Sequence, residues 1–493
     1  MRHAGLRVRA AFGLASADDA MSRATARGGD VAASASPPAR AADPDALGGI
    51  GLLALSIFAL GALWRCLHVL VLHRPTEYMW SDMAGYCRRA LRVFDPAYQP
   101  HIGDTIYPPG NEVFLALLHA LGGGSWTLAV HAQLAIALAI PIAIAALAHA
   151  LYGRVVACVA AIIASLHFQS VAYAGYFLAE NPFTLLLLLA LLAALPWLRD
   201  PERAPAWRCA LAGLLLGLAA AFKSVVLLPA LLVAVHGALD RGNWRVPRFW
   251  SHAAVIGLAL AAVIGPIAAR NTSAAGRFTL ISTNGSLNFM QGHSGDVRLF
   301  RFVDRERDLR TAFACPASGQ RGYRRAVTLP FGPYDGERCR ETAWEWIAAH
   351  PVEAAVESVG HVFVLFWGTV PWPSSNTAER PLMVLAENLF LLLVVAPAGY
   401  AVLRALRRRR AGDAFSELVL AAPVAGIALA AFVFIGDPRY RIPFDGCLIV
   451  LAAATWAGSL AARSTGRMDD PGSRDGGDNA PPHAGLGARS TAS

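Results

Sequence analysis

What most constrains this chain is the recurrence of apolar stretches long enough to cross a bilayer. Roughly 20 apolar residues in a helix cover about 30 Å of hydrocarbon, and a helix satisfies its own backbone polar groups where no water can. Such stretches stand at 47–71, 126–149, 154–171, 182–198, 250–269, 382–403, 417–435 and 443–462. The apolar region 206–239 would be about 51 Å long as one helix, at about 1.5 Å per residue, which overshoots any bilayer. It reads as two short spans meeting at Lys223-Ser224, because a lysine left at mid-membrane costs about 2.5–3.5 kcal/mol. The sequence therefore predicts an all-α polytopic membrane protein with about ten transmembrane helices. A chain that is 55% hydrophobic and 16% charged excludes a set of water-soluble domains.

Basic residues orient the bundle. Arg2, Arg7, Arg9, Arg23, Arg27 and Arg40 precede the first span, and later arginines recur at Arg199–Arg208, Arg241–Arg248 and Arg404–Arg410. The positive-inside rule puts all of these, and both termini, in the cytoplasm. Residues 1–46 and 463–493, poor in apolar pattern, read as disordered cytoplasmic tails. Between them lie an N-terminal bundle at 47–269, with a first outer loop at 72–125, an extracytoplasmic loop region at 270–381 and C-terminal helices at 382–462. The runs 111–121 and 352–369 read as juxtamembrane helices on the outer face. Counting the second as a span would turn the arginines at 404–410 outward.

Several chemistries lack their signatures. There is no GxxxxGK[ST] loop, no dinucleotide fingerprint and no HExxH, and the histidines are dispersed, so no metal cluster stands out. The net charge of +9 comes almost wholly from arginines scattered along apolar segments, which suits anionic head groups and phosphates rather than nucleic acid. Seven cysteines show no CxxC spacing. Cys315 and Cys339 share the large polar region, where an oxidising compartment would permit a disulfide and spacing alone leaves the pairing open.

The polar residues of interest lie on the expected outer face. Asp82, within Tyr78–Tyr86, has two readings: with Ser81 it caps a short helix beginning at Met83, or it is a general base held among aromatic side chains. Arg439 and Arg441, at i and i+2 in an extended turn, would point the same way, either snorkelling or binding a phosphate bidentately. Lys223 adds a point charge or merely ends a short helix. Glu180 is left to pair with an arginine or to orient a substrate hydroxyl, while Asn181 reads as a helix cap and Pro182 as the first helical residue. Arg270, at the outer end of another span, is similar in kind.

Together these segments resemble the GT-C superfamily of integral-membrane glycosyltransferases, in the bacterial branch similar to protein O-mannosyltransferases and lipid A aminoarabinose transferases. The matching pieces are Ser81-Asp82-Met83-Ala84-Gly85-Tyr86, Tyr107-Pro108-Pro109-Gly110, Ala179-Glu180-Asn181, Arg270-Asn271 with Gly276-Arg277-Phe278, and Arg439-Tyr440-Arg441-Ile442-Pro443. The resemblance implies a multi-pass protein of a bacterial inner membrane, a polyprenyl-phosphate sugar donor, and inverting transfer to an envelope lipid, glycan or protein on the extracytoplasmic face. By the same analogy Asp82 is the base, and Arg439 and Arg441, with Tyr440 between them, face the donor phosphate. Relatives with an acidic pair in this loop differ, since Ser81 and Met83 flank Asp82 here, and the use of a divalent metal stays open. The competing readings are a lipid-linked-glycan transporter and a polysaccharide polymerase or ligase. A transporter fits less well, because no internal repeat is present and the unusual polar residues gather on one face.

Overall fold

A computed structural model of the protein describes residues 44–295, 297–304, 307–313, 325–367, 370–408 and 414–466. Each expected span is helical. Among the described residues, seven helices are long and apolar enough to cross a membrane: Gly49–Glu77, Thr127–Tyr152, Glu180–Arg199, Pro247–Ala275, Arg380–Arg408, Phe415–Val433 and Pro438–Ser459. The stretch expected at 154–171 is two helices, Arg154–Ser165 and Phe168–Ala174, bent by 51°, and brings the number to eight if the pair is one span. The last two expected spans are the shorter apolar helices Ala206–Phe222 and Ser224–Leu239. They part at Lys223, whose backbone is extended at φ −148° and ψ 108°.

Helix packing follows the apolar faces. Pro247–Ala275 and Glu180–Arg199 both lie along Ala206–Phe222, and the last helix, Asp445–Gly466, packs on Arg154–Ser165 and Ala396–Arg408. Phe183, Leu188, Phe222, Leu420, Phe444 and Ile449 fill the space between them. The two end helices reach slightly beyond the expected spans, starting at Pro44 and ending at Gly466. The rest of both tails, and Arg409 and Arg410, lie outside the described residues.

The short helices expected at 111–121 and 352–369 form as Gly110–Leu121 and Pro351–Phe366. The second exposes Val352, Val356 and Phe363 and buries His361, so this polar residue turns into the protein. There His361 Nδ1 accepts from the Gly436 amide at 3.1 Å. Gly436 lies so close that a Cβ would come 2.0 Å from the His361 carbonyl oxygen, which presses the 436–441 turn onto this helix. Gly110 is similar: a Cβ there would meet the Ala221 backbone at 2.6 Å, two residues before Lys223.

The polar region holds structure that hydropathy does not announce. After the helix Asn284–Gly292 come three strands, β1 (Val297–Asp304), β2 (Arg307–Phe313) and β3 (Arg325–Leu329), and then the helix Gly336–Ala349. The sheet has the order β2-β1-β3, antiparallel between β1 and β2 and parallel between β1 and β3. Phe300 and Phe302, two residues apart and hence on one face of β1, form a small core with Met290, Leu329 and Ala343. Cys339 is buried in that core, and Cys315 lies outside the described residues.

Candidate active site

Asp82 lies in the first turn of the helix Ser81–Ala90, which is preceded by Trp80 and has no side-chain cap. The capping reading is therefore corrected. The helix is entered through Ser81 at φ 51°, a left-handed conformation that costs a non-glycine residue about 1–3 kcal/mol. The Asp82 carboxylate instead reaches across the bundle. It accepts from Arg439 Nη1 at 3.1 Å and from the Tyr107 hydroxyl at 3.4 Å, and its side chain stays 26% exposed. The Asp82 carboxylate and burial together hold the Tyr107 hydroxyl well above the usual phenol range, so Tyr107 remains a donor.

Arg439 and Arg441 belong to one helical turn, Pro438–Arg441, whose first amides are capped by Asp437 accepting from the Arg439 N–H at 2.7 Å. Two residues of helix turn a side chain by about 200°, so the arginines diverge, contrary to the extended-turn expectation. Arg439 donates through Nε to Glu180 and through Nη1 to Asp82, and its guanidinium lies 4.7 Å from the centre of the Trp372 ring. Arg441 points inward and is 1% exposed. Its donors go to Asp445 Oδ1 at 2.8 Å, Glu387 Oε2 at 2.9 Å and the Leu365 carbonyl at 3.0 Å.

Glu180 is fully buried beneath the site. Its Oε1 accepts from Lys223 Nζ at 2.9 Å as well as from Arg439, so one carboxylate oxygen holds both cations. Lys223 in turn lies 5.6 Å from the Tyr440 ring centre. The helix begins at Glu180 itself, with no side-chain cap, and an acid in its first turn suits the positive end of the helix dipole. The expected roles of its two neighbours are corrected. Asn181 is inside the helix and donates to the Ser170 carbonyl at 3.3 Å, tying this span to the bent pair, and Pro182 is the third helical residue.

Arg270 joins the site at one remove. Its Nη2 lies 3.7 Å from Glu112 Oε1, while Nη1 donates to Asn271. Glu112 Oε2 accepts from Arg89 Nε at 2.7 Å, and the Arg89 guanidinium lies 5.0 Å from the rings of both Tyr86 and Tyr107. Burial raises the Glu112 carboxyl, with the two arginines pulling the other way. Arg89 and Glu112 were not singled out from the sequence. The available signal was Glu112 two residues after Pro108-Pro109-Gly110, an acid opening an otherwise apolar helix.

Among the described residues, one group of three His, Cys, Asp or Glu side chains has ligand atoms close enough for a single ion. It is His68, His73 and Glu379, and it does not include Asp82. The dispersion of histidines along the sequence hid it.

The fold and site define a polytopic membrane protein in which charged groups from four distant segments, Asp82, Glu180, Lys223 and Arg439, meet in one cluster. Residues 107–266, roughly a third of the chain, match the family model described as dolichyl-phosphate-mannose-protein mannosyltransferase. The resemblance to the GT-C membrane glycosyltransferases is borne out by that match. No curated protein matches in sequence. Among solved structures, the chain is similar to the oligosaccharyltransferase AglB from Archaeoglobus fulgidus, in complex with an inhibitory peptide and a dolichol-phosphate, at 12% identity and a TM-score of 0.49. That likeness covers 86% of this chain and 52% of AglB. ArnT from Cupriavidus metallidurans, bound to undecaprenyl phosphate, is similar at 12% identity and a TM-score of 0.44, over 86% of this chain and 64% of ArnT. The chain thus spans about half the length of the first of these structures.

Proposed function

We propose that the protein is an inverting glycosyltransferase of the bacterial inner membrane. It moves a sugar from a polyprenyl-phosphate donor to an envelope lipid, glycan or protein on the extracytoplasmic face, with Asp82 as general base. The observation that carries this reading is the contact of Asp82 with Arg439 at 3.1 Å, from residues 357 apart in the chain. A carboxylate with access to solvent and a guanidinium locked beside it are the two groups that the reaction needs at one place.

The resting pair supplies the order of events. A donor phosphate competes with Asp82 for the Arg439 guanidinium, and Lys223 adds a second positive charge within the same cluster. Released from Arg439, Asp82 takes the proton of the acceptor hydroxyl. The acceptor oxygen bonds to the anomeric carbon as the bond from that carbon to the phosphate oxygen breaks, and the electron pair leaves on polyprenyl phosphate. Glu180, sealed below, is a positioning residue that keeps Arg439 and Lys223 in register. Tyr107 orients Asp82 through the other carboxylate oxygen. Arg441 takes no part in binding the phosphate, since its guanidinium is enclosed by two carboxylates and a carbonyl.

The test is to incubate the purified full chain with polyprenyl-phosphate hexoses and measure release of the lipid phosphate. Asp82→Asn should abolish release while leaving the detergent-solubilised protein folded. Undiminished release from that variant ends the assignment.

A further inference from the structure

We propose that His68, His73 and Glu379 bind one divalent transition-metal ion, with Zn2+ the best fit, clasping the outer end of the first span to the segment that precedes Arg380. Two imidazoles and a carboxylate are a common zinc ligand set, in which a water or another group completes the tetrahedron.

The geometry is that of a ligand cluster in a buried place. His68 and His73 are each 3% exposed and the Glu379 side chain 16% exposed, and their ligand atoms all lie within 4.8 Å of one another. Donors about 2.1 Å from a tetrahedral ion stand about 3.4 Å apart. His68 Nε2 and Glu379 Oε1 are already at that separation, 3.5 Å. Three buried atoms here, His68 Nε2, His73 Nε2 and Glu379 Oε2, have no hydrogen-bond partner, an arrangement that is costly unless something else satisfies them.

The surroundings prepare the imidazoles as ligands. His73 Nδ1 lies 3.1 Å from the Gly175 carbonyl, to which it can only donate. That fixes the tautomer with the lone pair on Nε2, the second contact that metal-bound histidines usually make. The His68 ring likewise meets the Ala172 backbone. Gly175 leaves the room: a Cβ there would come 2.6 Å from His73 Nδ1 and 3.0 Å from His68 Nε2.

The clasp sits where it would steady the cleft. Tyr78 stacks on His73 with ring centres 3.5 Å apart, four residues before Asp82. Trp372, seven residues before Glu379, is the ring against Arg439. The ion would therefore join the two segments that deliver these groups, without touching the reacting atoms.

The test uses the untagged full chain in detergent, stripped with a chelator and titrated with Co2+ alone. Stoichiometric binding is expected, with visible d–d absorption that Zn2+ abolishes, and a loss of at least tenfold in affinity in His73→Ala and in Glu379→Gln. If those variants do not fold, pulsed EPR of the Cu2+-loaded wild type should still show two imidazole nitrogens. A wild type that takes up no Co2+, folded variants that bind as well as it does, or a Cu2+ centre with fewer than two imidazoles overturns the proposal. None of these readouts depends on sugar transfer, so this site and the role of Asp82 stand or fall separately.

Discussion

Arg439 and Arg441 are two residues apart, and they serve two unlike clusters. Around Arg439 the partners are Asp82 and Glu180, Glu180 also holds Lys223, and Asp82 keeps a quarter of its side-chain surface open. Around Arg441 they are Glu387 and Asp445, at 3% and 1% exposure, with Gln169 donating to Glu387 at 2.8 Å and His167 3.2 Å from Asp445. In the proposed reaction the first cluster exchanges a protein partner for a substrate one. The second is closed, and its charges hold three helices together. Residue type is the same in both; access is what separates a group able to act from one that supports.

The comparison breaks at its strongest point if Asp82→Asn retains turnover. The expected loss is about 10²- to 10⁴-fold in kcat, the usual worth of a positioned base, with an unchanged melting curve in detergent. Next is Arg441→Ala, which strands two buried carboxylates and should cost about 3–5 kcal/mol of stability. Thermal unfolding of the solubilised protein reads it, and a melting temperature equal to wild type would show that this cluster is not the support described. Arg439→Ala should show the converse split. Glu180 keeps Lys223, so the fold is less affected, while the donor KM rises about 10- to 100-fold, in line with about 1.5–3 kcal/mol for charge-assisted hydrogen bonds. Equal damage to stability from the two arginine variants would erase the distinction between the clusters. The smallest effect belongs to Tyr107→Phe, which removes one long hydrogen bond of 3.4 Å and should lower kcat about two- to tenfold, at about 0.5–1.5 kcal/mol.

Much of the bundle was legible because hydropathy acts locally. Every expected span became an apolar helix, and the break at Lys223 followed from helix length and the cost of a buried ammonium. Four site residues, Asp82, Glu180, Lys223 and Arg439, were picked out singly as polar groups out of place, and they meet. The misses have a shared origin in local backbone form. Asp82 with Ser81, and Asn181, looked like caps, yet Trp80 and Ala179 precede those helices, and the Asp82 and Asn181 side chains bond elsewhere. The turn at 438–441 looked extended, and its helical form sends Arg441 away from the Asp82 cluster.

From its order of residues alone this chain was bound to cross a membrane many times, since apolar length and the unmet backbone groups of lipid admit no other outcome. Which charges answer one another was settled only in three dimensions. Glu180 joins residues 43 and 259 positions away, and Glu379 reaches His68 across more than three hundred. Pairing of this kind depends on how helices pack, and an ion pair or ligand set leaves no period in the chain for a sequence to display.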